Sequence, residues 1–169
     1  MSKIEWNGRK FGDIDVIFYN FESVLAIRNN SIKIEDDFTS MWKQLIYKGV
    51  DGSLDLLMRY YKPNNATKRF IDILPKDIKH VSIAIGNSSI ASAFQDSFLK
   101  EVYSEYNPFL CNLICDGTPT KIMLIEKYIK AFGIGVDKVL VVCASQNDAE
   151  VYARNLGVQV ITTEEIMNV

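Results

Sequence analysis

Ile14-Asp15-Val16-Ile17-Phe18-Tyr19 runs straight into Asn20-Phe21-Glu22-Ser23-Val24-Leu25, and this stretch decides the fold. Its first half is almost continuously apolar. A strand with one face in water alternates apolar and polar residues. An uninterrupted apolar run of this length instead predicts a strand buried on both faces of a parallel sheet. The chain then turns polar at Asn20, where such a strand would end.

The segments beyond Pro75 repeat the pattern. Val81 to Ile85, Phe109 to Cys115, Val139 to Val142 and Val158 to Ile161 read as strands. Between them, Ile90, Phe94, Phe98 and Val102 recur at helical spacing, as do Ile122, Ile125, Ile129 and Phe132, the latter stopped by Gly133. Asp148 to Leu156 is a further helix. Strictly alternating strands and helices predict βαβ units, hence an α/β domain with a parallel sheet between two helical layers. In such sheets ligands meet the carboxyl ends of the strands. Four loops therefore carry the functional question: 20–23, 86–89, 116–121 and 143–148.

Upstream, Ile4, Trp6 and Phe11 surround Asn7-Gly8, a pair suited to a tight hairpin; a frayed extension is the competing expectation. Val24 to Ile34, with Asn29-Asn30 in its middle, predicts a small hairpin after the first core strand. Residues 36–75 read as helical, with no strand. Asp36-Asp37 and Ser53 offer caps, Pro63 and Asn64-Asn65 form a break, and a last helix carries Phe70, Ile71 and Leu74.

At 169 residues the chain suits one domain, 1–169. Its core is expected over about 13–35 and 63–161, with a small helical cap over 36–62. A composition that is 48% hydrophobic and 24% charged is that of an ordinary globular protein. The net charge of −2 and the lack of a Lys/Arg run do not indicate nucleic acid, so a protein or small-molecule partner is favoured. The three cysteines, Cys111, Cys115 and Cys143, read as buried reduced thiols. With His80 as the only histidine, they make a poor zinc set. No secretory leader or membrane-length apolar run is evident, so a cytoplasmic location is expected.

At the four loops the sequence resembles the haloacid dehalogenase superfamily of aspartate-nucleophile phosphatases, over roughly residues 13–161. That family ends its first strand in Asp-x-Asp-Gly-Thr/Val-Leu. Here Asn20 stands at the nucleophile position and Glu22 at the acid/base position. The Val24–Ile34 hairpin matches the family's flap, and the helices of 36–62 match a cap. The second motif is a phosphate-binding Ser or Thr, and Gly86 stands in its place. Lys121 matches the family's phosphate-neutralising lysine, although a lysine in a first helical turn is ordinarily solvated. In the acidic fourth motif, Ala144 replaces the first acid and Asp148 keeps the second. Asp148 also suits a helix N-terminus without any catalytic role.

The resemblance thus implies a three-layer Rossmann-type fold with flap and cap, and an active site without its chemistry. A carboxamide at position 20 neither attacks phosphorus nor carries charge for Mg²⁺. Loss of a nucleophile costs on the order of a millionfold in rate. The expected function is therefore a catalytically inactive binding or regulatory protein with no cofactor. The competing expectation is an Mg²⁺-dependent phosphohydrolase with a diverged site. Candidate contact residues are Arg59, Tyr60, Tyr61 and Lys62, with Tyr103 and Tyr106, because Tyr and Arg are favoured anchors. Residue usage rich in Lys, Ile, Asn and Tyr suggests an AT-rich source. A narrower expectation follows: a phage-encoded regulator of a host machine such as RNA polymerase, resembling the T-even phage Alc protein.

Overall fold

The structure is a computed structural model; it describes residues 2–28, 61–85, 89–103, 109–115 and 118–167. Strands β1 (Ser2–Trp6) and β2 (Arg9–Ile14) form an antiparallel hairpin. Asn7 and Gly8 both take positive φ, 50° and 78°, the geometry that matches a tight turn to the twist of its strands. The hairpin expectation is thereby met, and the frayed alternative is not. Trp6 packs edge-on against Phe70 at 5.1 Å between ring centroids, which ties the hairpin to the domain.

The central sheet has five parallel strands in the order β7 (Phe109–Cys115), β6 (Lys79–Ile85), β3 (Val16–Asn20), β8 (Val139–Cys143), β9 (Gln159–Thr162). All five residues of β3 are buried, as expected of a strand covered on both sides. Alternate residues feed two cores. Ile17, Tyr19, Leu140, Val142 and Ile161 face one layer, which includes α1 (Asn65–Ile73), α2 (Ser89–Val102) and α5 (Thr163–Met167). Val16, Phe18, Val139, Val141 and Cys143 face the other, made by α3 (Thr118–Phe132) and α4 (Gln146–Leu156). Three layers result, with the order of connections reversing at β3 between β6 and β8. Gly157, at φ 69°, closes α4 in the left-handed conformation that glycine reaches without strain.

Two sequence expectations need correction. Residues 36–75 were expected to hold no strand, yet Tyr61–Pro63 forms β5. It pairs antiparallel with β4 (Ala26–Arg28), Arg28 opposite Tyr61 and Ala26 opposite Pro63. The partner of Ala26–Arg28 among the described residues is therefore distant in sequence, and the remainder of the expected Val24–Ile34 hairpin lies outside the described residues. Pro63 misled because it usually breaks structure, but it is tolerated at the margin of a short ladder. Asn64 is not a break either: its side chain caps α1, accepting from the Ala66 amide at 3.1 Å. The helical cap of 36–60, with Arg59 and Tyr60, lies outside the described residues, as do Gly86 and Tyr106.

The three cysteines lie in strands as free thiols, Cys115 and Cys143 buried and Cys111 half-buried. Among the described residues, no helix is long and apolar enough to cross a membrane.

Candidate functional site

Asn20 ends β3 at the reversal point of the sheet, the place where α/β sheets bind ligands. Strand alternation sends its side chain to the α3/α4 face, the one shared by Val16 and Phe18. There the carboxamide oxygen receives two hydrogen bonds. Lys121 Nζ donates to Oδ1 at 3.3 Å and the Tyr152 hydroxyl donates at 3.1 Å. The three groups come from β3, α3 and α4, so the contact clasps three elements at the strand ends.

Lys121 is not the solvated lysine its place in a first turn suggests. It is 9% exposed. Burial pulls its ammonium below the usual lysine range, while Cys115, Asp148, Glu22 and Cys143 act in the opposite direction. Glu22 and Asp148 thus lie within electrostatic reach of one cation, as the motif order implied. Asp148 sits in the first turn of α4, whose N-cap Ser145 accepts from the Asp148 amide at 3.2 Å. Its helix-terminal role is therefore met whatever else it does. Ala144, at the end of β8, brings only a methyl group. Burial pushes the Cys143 thiol beside it up to about 12, so the thiol is inert near neutrality.

The loop leaving Asn20 is tightly wound. The Phe21 amide donates to Ile83 across the sheet, and the Phe21 carbonyl accepts from both Leu25 and Ala26. Ser23, where the family motif has glycine, takes φ 69°. Buried side chains anchor the loop from outside: Thr67 donates to the Val24 carbonyl and Tyr103 to the Leu25 carbonyl, each at 2.7 Å.

These contacts correct the expected contact surface. Tyr103 is buried and spends its hydroxyl on the loop. Tyr61 is 4% exposed, and its hydroxyl donates to Glu22 Oε1 at 2.8 Å. Neither is a surface anchor, because both belong to the frame of the site. Lys62, the next residue on β5, is exposed as expected. Tyr152 was missed in the sequence. It lies four residues after Asp148, hence on the same helical face, and that spacing was the available signal.

No protein-family model and no curated protein matches the sequence. Solved structures do match. A haloacid-dehalogenase-family enzyme from Bacteroides thetaiotaomicron, in complex with magnesium and inorganic phosphate, is 10% identical, with 88% of this chain and 93% of that chain covered and a TM-score of 0.57. A haloacid-dehalogenase-like hydrolase from Streptococcus pneumoniae is 13% identical, with 92% and 90% covered and a TM-score of 0.55. A haloacid-dehalogenase-superfamily hydrolase from Geobacter sulfurreducens is 13% identical, with 88% and 86% covered and a TM-score of 0.55. The likeness spans most of each chain. This chain has the haloacid-dehalogenase-like, Rossmann-type fold.

Proposed function

We propose that this domain has lost phosphohydrolase chemistry and works by binding a protein partner. One observation supports the reading above the rest: the oxygen at the nucleophile position is an amide oxygen that already accepts from Lys121 and Tyr152. A phosphoryl-transfer site needs a carboxylate there, free to attack and to hold Mg²⁺. An amide oxygen facing an ammonium offers a cation neither charge nor room. Ala144 adds no oxygen, and Glu22 is engaged by Tyr61. The residues present do not fit an Mg²⁺ centre, which needs carboxylates plus substrate oxygens in near-octahedral order. The net charge of −2 directs the choice of partner toward protein over nucleic acid. The narrower reading, a phage regulator of host RNA polymerase, draws on chain length, AT-rich residue usage and a repurposed enzyme fold.

One specific observation favours the competing phosphohydrolase reading: Lys121 keeps the electrostatic company of Glu22 and Asp148. Turnover of p-nitrophenyl phosphate with Mg²⁺ separates the two. The expected result is none for the wild type, and weak Mg²⁺ binding by calorimetry. The triple reversion Asn20→Asp, Gly86→Ser, Ala144→Asp is expected to regain Mg²⁺ binding. Wild-type turnover abolished by Asp148→Ala would defeat the proposal, as would micromolar Mg²⁺ binding by the wild type. A pull-down from the native host identifies the partner.

A further inference from the structure

Lys121 carries a positive charge into the protein and meets no opposite charge at contact distance. It is 9% exposed, and the ion pairs among the described residues are Arg9–Glu165 and Lys130–Glu126. Glu22 and Asp148 act on it only from farther off. A buried cation is ordinarily paired with an anion and fully hydrogen-bonded. Among the described residues, the hydrogen-bond partner of Lys121 is Asn20 Oδ1, at 3.3 Å. An ammonium has three donors, so donors remain for a guest.

Asn20 sets a second donor beside them. An ammonium only donates, so the Asn20 atom facing Lys121 is the oxygen, and the Tyr152 hydroxyl donates to that same oxygen. The NH₂ therefore occupies the other branch of the amide. Among the described residues, no acceptor takes Nδ2. Nor is Nδ2 one of the buried unpaired atoms, which are Trp6 Nε1, Ser82 Oγ and Asn112 Oδ1. An ammonium and an amide NH₂ thus adjoin one another at the end of β3, and the two oxygens of one carboxylate suit that pair.

We propose that Asn20 and Lys121 form a receptor for a single carboxylate, carried by an acidic side chain of the protein partner. The inference rests on the binding-protein reading above and names the chemistry of its contact. Charge decides for a carboxylate over a phosphate. One ammonium balances one negative charge. A phosphate dianion would bring a second charge into the field of Glu22 and Asp148, and the residues present do not fit the Mg²⁺ that would offset it. The amide at position 20 is what makes the receptor, because an aspartate there would turn an anionic oxygen toward the guest instead of an N–H.

Acetate is the first probe, titrated at constant ionic strength against the backbone amide resonances of Phe21 and Lys121 in nitrogen-15-labelled protein. A saturable shift is expected, with a Kd of order 10 mM for one small ion. Inorganic phosphate at pH 7.5 is expected to bind at least about tenfold more weakly. Asn20→Asp keeps an acceptor for Lys121 and Tyr152, so it is expected to fold and to lose the acetate shift. A capped Gly-Glu-Gly peptide is expected to match acetate, and its glutamine analogue to give no shift. The proposal is overturned by no saturable shift with acetate, by tighter binding of phosphate, or by an Asn20→Asp variant that binds acetate as well as wild type. Acetate binding without binding of the glutamate peptide overturns the partner's side chain as the source. Wild-type turnover of p-nitrophenyl phosphate is read separately, and it defeats the binding-protein reading itself whatever acetate does.

Discussion

The Tyr61 hydroxyl donates to the Glu22 carboxylate at 2.8 Å, joining the loop after the central strand to a strand that returns thirty-nine positions later. Glu22 is thereby held by the frame of the domain. Tyr61→Phe removes the donor and leaves a half-buried carboxylate with one partner fewer. A hydrogen bond to a charged group contributes about 1.5–3 kcal/mol. The expected loss of stability lies toward the lower end, and urea unfolding measures it.

Asn20 offers a sharper contrast. Asn20→Leu keeps the volume but strands a buried lysine and a buried hydroxyl. An unpartnered buried charge is expected to cost about 3 kcal/mol or more. Asn20→Asp keeps both donors and makes both bonds charge-assisted, so little or no stability is lost. Denaturant midpoints of the two variants, compared with wild type, decide it; similar losses for both would show that the clasp does not depend on the acceptor.

His80 governs a pH dependence. Burial lowers its pKa from the usual 6.5 to about 4. Between those values the unfolded chain takes up a proton that the folded chain refuses. Stability from the neutral imidazole is thus present above the unfolded value and is lost as pH falls toward 4. By pH 5 the loss reaches about 2 kcal/mol. His80→Gln keeps an acceptor for Tyr19 and is expected to flatten that slope; direct titration of the single imidazole by nuclear magnetic resonance gives the folded-state pKa.

Ser23 holds φ 69° on the exposed turn after Glu22. A left-handed conformation costs a residue with a Cβ about 1–2 kcal/mol. Glycine relieves that cost but loses about 0.5–1 kcal/mol of chain entropy. Ser23→Gly is therefore expected to stabilise slightly, by about 0.5 kcal/mol, visible as a higher melting temperature. A lower one would mean that the serine side chain makes a contact outweighing its backbone strain.

The sequence was most legible where local chemistry acts alone. The apolar run of β3, the helical periods of α2 and α3 and the stop at Gly133 carry their own signals, because burial on two faces and a 3.6-residue repeat both leave marks on neighbouring residues. The turn at Asn7-Gly8 is of the same kind. The pairing of β4 with β5 was not legible, since the ladder joins Arg28 to Tyr61 across a long insertion and nothing near either strand encodes the other.

For the site, the sequence by itself determined which groups are present: an amide at position 20, a methyl at 144, carboxylates at 22 and 148, a lysine at 121. Only the tertiary structure decided what those groups do to one another. Lys121 reads as a solvated side chain until α3 docks on the sheet and buries it against Asn20. Tyr152 drew no reading in the sequence, and its role appears only when α4 brings its hydroxyl to the same oxygen. Tyr61 reads as a surface anchor until β5 closes over Glu22. The reason is physical. A side chain's identity is a local property of the chain, whereas its solvation and its hydrogen-bond partner depend on segments that only folding brings within hydrogen-bonding distance.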